Sequence, residues 1–283
     1  MNRGKNEEIE IGISGIRKLT EVVNNRYNFD LAIYASTSLK RRISKIINQK
    51  NLRHLDDLIQ LLDTQPAFFP EFQLQLSVDG TEFFRDPAFW RSFRDDICKS
   101  LDRNHQKIRI WIPGCSSGEE VVSTAITLTE AGVYDKASIV ATDLNSRIIS
   151  ESRKKIYQNS LLEISENNYK RFIEDESADF SKYIHKQTQG FTFADDLYKN
   201  ISYEVYDEPE KSKLKQVNVI LCRNYFIYLT AQFQEKLLAA FTDRLMSNGY
   251  FAIGNKENIS FCKDASKYVL VNESEKIYRK NAG

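Results

Sequence analysis

Two textures of apolar spacing divide the chain. Over residues 1–78 apolar side chains recur every three or four positions, the period of helices packed on one side. That spacing predicts helices over 15–27, 36–48 and 54–62. In the second, Leu39, Ile43, Ile46 and Ile47 share a face, with Lys40, Arg41, Arg42 and Lys45 beside or opposite it. In the third, Leu55, Leu58, Ile59 and Leu62 are in phase, and Pro66 and Pro70 then break the pattern.

From about residue 107 apolar runs of strand length alternate with helical ones. Strands are predicted over 108–112, 138–141, 201–205, 217–222 and 250–253, and helices over 119–130, 147–156 and 231–246. Phe233, Leu237, Phe241 and Leu245 stack along the last helix, with Thr230 placed to cap its start and Asn248-Gly249 to end it. Residues 267–271 and 276–280 read as a closing hairpin. The alternation implies an α/β, mostly parallel, doubly wound sheet with an antiparallel edge, preceded by a small all-α domain. The expected domains are 1–78 and 79–283. An inserted subdomain is expected around 158–200, where Phe172, Phe180, Tyr183, Phe191 and Phe193 lie in a polar background without a legible period.

Composition narrows the function. Apolar residues make up 41% and charged residues 28%, with a net charge of +1. A core is affordable, and nothing in the balance calls for nucleic acid or an anionic membrane. The polar start MNRGKNEEIEIG has no apolar run of signal-peptide type, and no run is long enough to cross a bilayer. Cys98, Cys115, Cys222 and Cys262 are scattered without metal-ligand spacing. The expectation is a soluble, cytoplasmic monomer without a metal.

The stretch Gly114-Cys115-Ser116-Ser117-Gly118 has two chemical readings. As G-x-S-x-G it matches the nucleophile elbow of a serine hydrolase, with Ser116 as nucleophile. That reading needs a later histidine, and the one available, His185, lies inside the 158–200 insertion. As a glycine-containing turn between a strand and a helix it suits a nucleotide-like cofactor. Asp143, at the end of the next strand, is placed to accept from ribose hydroxyls. The loop alone does not separate a dinucleotide from S-adenosylmethionine. Glu119 and Glu120, directly after it, would repel a diphosphate and attract a sulfonium and an ammonium. The closing hairpin suits the common methyltransferase sheet.

With these elements in order, the chain resembles the CheR family of chemotaxis receptor methyltransferases. The resemblance is carried by "TEFFRD" (81–86), "GCSSGEE" (114–120), "ATDLN" (141–145), "ILCRNYFIYL" (220–229) and "NGYFAIGNKEN" (248–258). It implies a Rossmann-like methyltransferase sheet and methyl transfer from S-adenosylmethionine to glutamate side chains of chemoreceptors, leaving S-adenosylhomocysteine. By position it implies cofactor contacts from Asp79, Thr81, Arg85, Glu119 or Glu120, Asp143, Asp207, Arg223 and Asn224. It places Arg85 in the linker that reaches over the cofactor and Tyr228 near the transferred methyl, the two expected as catalytic residues that position the incoming carboxylate. It makes the basic helix with Arg41, Arg42 and Lys45 the face for an acidic receptor helix. Four departures mark a divergent member: Asp79 for an asparagine, Asp207 for another, Gly254-Asn255-Lys256-Glu257 for G-H-S-E, and Gly114-Cys115 where alanines are common. A same-fold methyltransferase for another carboxylate, or a non-catalytic module binding S-adenosylmethionine, stays open on the residues alone.

Overall fold

The helical period of the first residues is realised as α1 (Ile13–Tyr27), α2 (Ser36–Gln49), α3 (Leu55–Thr64) and α4 (Phe69–Leu76). The computed structural model describes residues 11–76, 81–104, 106–206, 214 and 216–282. Leu39, Ile43, Ile46 and Ile47 of α2 and Leu58, Ile59 and Leu62 of α3 are buried in one core, as their spacing requires. Asp57 Oδ2 accepts from the backbone amides of Arg53 (2.9 Å) and His54 (3.0 Å), which satisfies donors ahead of α3. The prolines do not stop the helical texture. Pro66 opens a single 3-10 turn, and Pro70 falls in the first turn of α4, where no amide donor is missed.

A compact helical unit is built from these elements together with Ile227–Phe233. Tyr34 pairs with Leu229 in an antiparallel bridge. Ala35 N donates to Tyr228 O at 2.8 Å, and Thr230 N donates to Ile33 O at 2.8 Å.

The second unit holds the sheet. It begins with α5 (Pro87–Ser92), a π-helical stretch Phe93–Cys98, and α6 (Lys99–Asn104). Then follow β1 (Ile108–Pro113), α7 (Glu119–Glu130), β2 (Ala137–Asp143), α8 (Ser146–Lys154), α9 (Leu162–Ile173), β3 (Ile184–Gln187) and β4 (Gly190–Phe193). The chain ends through β5 (Ile201–Val205), β6 (Val217–Leu221), α10 (Ala231–Arg244), β7 (Leu245–Ala252), β8 (Tyr268–Asn272) and β9 (Ile277–Lys280). Seven strands lie in the order β5-β2-β1-β6-β7-β9-β8. The first five are parallel neighbours, and β9 runs antiparallel to both β7 and β8. The expected mostly parallel sheet with an antiparallel closing hairpin is present.

Two boundaries differ from the periodicity, each for a backbone reason. α8 ends at Lys154 because Lys155 turns left-handed, at φ 59°. Leu245 and Met246, in phase with α10, instead open β7, where Leu245 pairs with Val217 across an irregular register. The stretch 158–200 forms α9 and the β3–β4 hairpin, but it builds no core of its own. Phe172, Phe180, Phe191 and Phe193 are buried in the same cluster as Ile110, Val121 and Ile139.

Candidate functional site

Strand order sets where a ligand can go. β1 lies between β2 and β6, so the chain leaves its C-terminal end one way and that of β6 the other, opening a crevice at the switch point. After β1 comes the glycine loop, after β2 Asp143, and after β6 Arg223-Asn224.

The loop is left-handed at Gly114 (φ 68°), Ser116 (φ 49°) and Gly118 (φ 97°). A side chain on Gly114 would press on the Tyr225 ring at 3.3 Å. Gly118 starts α7. Asp143 fastens the loop from the side: Oδ2 accepts from Ser116 N (3.2 Å) and Oδ1 from Asn145 N (3.0 Å). Ser152 Oγ donates to Ser116 O (2.7 Å). Burial pushes the Asp143 carboxyl up to about 6, against these amide donors, which pull it down. Each carboxylate oxygen keeps acceptor capacity beyond its amide.

Glu119 and Glu120 separate in role. Glu119 is buried, and its Oε2 accepts from Thr81 Oγ1 (2.8 Å) and Ser117 Oγ (2.6 Å). Burial raises its carboxyl above the ordinary range, opposed by both hydroxyls. Glu120 is half-buried, with an enclosed Oε1 that has no hydrogen-bond partner. Burial pushes it up to about 7, with Arg223 and Arg85 pulling down and Glu257 pushing further up.

The segment carrying Thr81 and Arg85 is held by its two phenylalanines. Both are fully buried. Phe83 meets Tyr157 edge-on at 4.9 Å, and Phe84 stacks on Phe172 at 5.0 Å. Phe84 N donates to Ser123 Oγ on α7 (2.9 Å). Phe84 and Asp86 are left-handed, at φ 51° and 56°, so the chain hooks sharply around Arg85. Arg85 lines a cleft of about 660 Å³ with Glu82, Asp86, Arg91, Asn168 and Arg171.

Arg223 is buried and turned back onto this hook. Its Nη2 donates to Asp86 Oδ2 (2.7 Å) and Arg85 O (3.4 Å), and the guanidinium lies 3.9 Å from the Phe89 ring centroid. Asn224 is left-handed (φ 58°), with its amide on Glu257 Oε2 at 2.9 Å. The same oxygen accepts from Gly254 N at 2.6 Å. A Cβ on Gly254 would fall 2.5 Å from Asn224 Nδ2 and 3.0 Å from Asn224 N, so a side chain there would have to displace the Asn224 amide.

The structure therefore brings Thr81, Glu119 and Ser117 into one hydrogen-bonded group. It places Arg223 on the Arg85–Asp86 hook and Asp143 on the loop. Asp79 and Asp207 lie outside the described residues. Tyr228 belongs to the helical unit, where its ring faces the Arg42 guanidinium at 4.3 Å. Here an expectation is corrected. Arg41 and Lys45 are exposed on α2, but Arg42 is only 5% exposed, so it is not part of a solvent-facing basic surface. Arg42 follows Arg41 in sequence but adjoins Ile43 on the buried stripe, and its guanidinium lies over the Tyr228 ring. The hydrolase reading gains nothing: Ser116 contributes its backbone, and His185 is exposed on β3.

Asp86, Ser117 and Glu257 were not singled out from sequence. Glu257 had a signal, since an acid three residues after a glycine in a loop can close on that glycine's amide.

The CheR methyltransferase SAM-binding domain matches residues 79–276, and the CheR methyltransferase all-alpha domain matches 14–76. The chain is similar to the Cher3 protein of Pseudomonas putida, 28% identical over 281 residues, 99% of this chain and 100% of that one. It is 27% identical to a chemotaxis protein methyltransferase of Listeria monocytogenes, over 85% of this chain and 88% of that one. It is 25% identical to one of Borreliella burgdorferi, over 92% and 94%.

Proposed function

The chain belongs to the CheR methyltransferase family and is an S-adenosylmethionine-dependent methyltransferase, and from that premise we propose that it methylates glutamate carboxylates on the acidic helices of a chemoreceptor. The observation that carries this reading is the Phe83–Phe84 anchor, which fixes the backbone at Arg85 on a cleft of mixed charge, where Arg91, Lys170 and Arg171 stand beside Glu82, Glu174 and Glu275. In this reading the Arg85 guanidinium is the group that a carboxylate entering there meets.

The acidic donor set fits the cofactor. Glu119, Glu120 and Asp143 border the switch-point crevice, and the enclosed Glu120 Oε1 lacks a partner. A cation satisfies that oxygen, whereas a diphosphate is repelled. S-adenosylmethionine supplies an electrophilic methyl on a sulfonium. In this reading Asp143 orients the ribose, Glu120 faces the cationic end, and Glu119 holds Thr81 in place. Arg223 and Asn224 shape the wall opposite. No general base is required, because a glutamate with a free pKa of about 4.3 is already ionised at neutral pH. The protein's work is to hold the carboxylate oxygen about 3 Å from the methyl carbon, in line, and to exclude water. Arg85 and Tyr228 are assigned to positioning that carboxylate. Exposed Arg41 and Lys45 are assigned to an acidic partner helix.

The test is incubation with methyl-labelled S-adenosylmethionine and a receptor cytoplasmic fragment. Base-labile methyl esters that vanish when the fragment's glutamates become glutamine support the reading. Cofactor binding without any methyl ester on receptor fragments rejects it.

A further inference from the structure

Arg223 stands between two carboxylates, Asp86 and Glu120, and bonds only the first. Its Nη2 donates to Asp86 Oδ2 at 2.7 Å, and its guanidinium lies 3.9 Å from the Phe89 ring centroid and 5.6 Å from that of Trp90. The Arg85 carbonyl, which also accepts from Nη2, is fixed in turn by Trp90 Nε1 at 2.9 Å. The Arg223 side chain is only 3% exposed, so solvent screens its charge poorly.

Among the described residues, Arg223 Nε and Glu120 Oε1 are both enclosed without a hydrogen-bond partner. The two groups act on each other. Arg223, after β6, is the cation that most strongly favours an ionised Glu120, followed by Arg85. Glu257, in the loop after β7, and Asp86, on the hook, oppose ionisation. The remaining acids are turned elsewhere: Glu119 to Thr81 and Ser117, and Asp143 to the glycine loop. An enclosed guanidinium and an enclosed carboxylate, each with an unused polar atom, gain by closing on one another. Asp86 already holds the guanidinium.

Asp86 has no other task in the fold. It precedes the first residue of α5, yet its side chain makes no capping bond there. Its backbone is left-handed, an uncommon conformation for a residue with a side chain.

We propose that Asp86 is a positioning residue for cofactor binding: by holding Arg223 on the hook it keeps the guanidinium off Glu120, and the Glu120 oxygen stays open to the cationic end of S-adenosylmethionine. This role rests on the reading that Glu120 faces that end. Without Asp86, Arg223 Nε pairs with Glu120 Oε1, and the cofactor has to displace an internal counter-ion before it binds.

The test is calorimetric titration of the full chain with S-adenosylmethionine at pH 7, in two buffers of different ionisation enthalpy. Asp86→Gly removes the carboxylate and suits the left-handed backbone. It is expected to bind about tenfold more weakly, with Asp86→Asn, which keeps an acceptor oxygen, in between. The wild type should release protons on binding, because Glu120 titrates at about 7; Asp86→Gly, with Glu120 already paired and ionised, should release fewer. Loss of the Asp86 charge by itself also disfavours a cation, and Arg223→Met separates the two causes. The gain in affinity from Arg223→Met should be about tenfold larger in the Asp86→Gly background than in the wild type, since only there is Arg223 on Glu120. Equal effects of Arg223→Met in both backgrounds overturn the proposal. So does an Asp86→Gly protein that binds as the wild type does. Glu120→Gln tests the reading underneath. Unchanged affinity in Glu120→Gln takes Glu120 off the ligand and the proposal falls with it. Weakened binding in Glu120→Gln beside unchanged binding in Asp86→Gly keeps Glu120 on the ligand and rejects the role of Asp86 alone.

Discussion

The guanidinium of Arg42 lies 4.3 Å from the centroid of the Tyr228 ring, and both belong to the helical unit. A buried cation over an aromatic face contributes about 0.5–2 kcal/mol and fixes the plane of the ring. If Tyr228 positions the substrate carboxylate, Arg42 acts through it. Arg42→Ala is then expected to lower kcat by up to about thirtyfold, the equivalent of that energy. The Kd for S-adenosylmethionine should stay near wild type. Arg42→Lys retains a charge near the ring and should recover part of the loss. Equal loss of kcat and of the cofactor-bound fraction would instead report a damaged fold, which thermal unfolding of the same variants resolves.

Glu257 holds two loops with one oxygen. Its Oε2 receives the amides of Asn224 and Gly254. Glu257→Ala leaves both enclosed amides without that acceptor, at about 1–3 kcal/mol each. The Tm should fall and cofactor affinity should weaken with it, because Asn224 is freed. Glu257→Gln keeps a carbonyl oxygen that can occupy the same place. Near-wild-type stability of the glutamine variant beside a destabilised alanine variant is the pattern that identifies an acceptor role. Calorimetric unfolding with and without S-adenosylhomocysteine reads it directly.

Much of this site was legible before the structure, and the illegible part has a physical cause. The glycine loop, Asp143 and the Arg223-Asn224 pair follow strands whose apolar runs mark them, so their convergence at the ends of β1, β2 and β6 follows from the parallel sheet. The role of 158–200 did not follow. Phe172, Phe180, Phe191 and Phe193 have no common period because they come from α9, a 3-10 turn and the β3–β4 hairpin, and only the tertiary fold gathers them. Arg42 was misplaced for the opposite reason. It sits beside Ile43 on the edge of the buried stripe, where one step around the helix decides between solvent and core.

The aromatic gathering has a measurable consequence. Phe84 is fully buried, stacked on Phe172, and one residue from Arg85. Phe84→Ala should cost about 3–5 kcal/mol by denaturant unfolding, as for other buried aromatic truncations. Phe84→Leu keeps most of the volume and should cost less. At temperatures where it remains folded, Phe84→Leu should lower turnover more than cofactor affinity, since the hook around Arg85 loosens while Asp143 and Glu120 are untouched. Unchanged turnover in a folded Phe84→Leu protein would sever the link between the anchor and Arg85.

Two carboxyls at the crevice titrate near neutrality, and both bear on a cationic ligand. Burial lifts Asp143 to about 6 and Glu120 to about 7. Both folded-state values lie above the ordinary carboxylate range, so the folded chain holds protons that the unfolded chain has released. Their burial therefore costs stability as pH rises from about 4 toward 7, the range between free and shifted values. Binding runs the other way. A sulfonium and an ammonium favour the ionised carboxylates, so affinity for S-adenosylmethionine should climb as pH rises from 5.5 to 8, with net proton release near pH 6–7. S-adenosylhomocysteine lacks the sulfonium charge and should show a shallower climb. Glu120→Gln should flatten the upper part of the profile, and Asp143→Asn the lower part. Calorimetric titrations in buffers of different ionisation enthalpy measure the protons released. A flat profile in the wild-type protein would place both carboxyls away from the ligand's charge and return the choice of contact to Glu119.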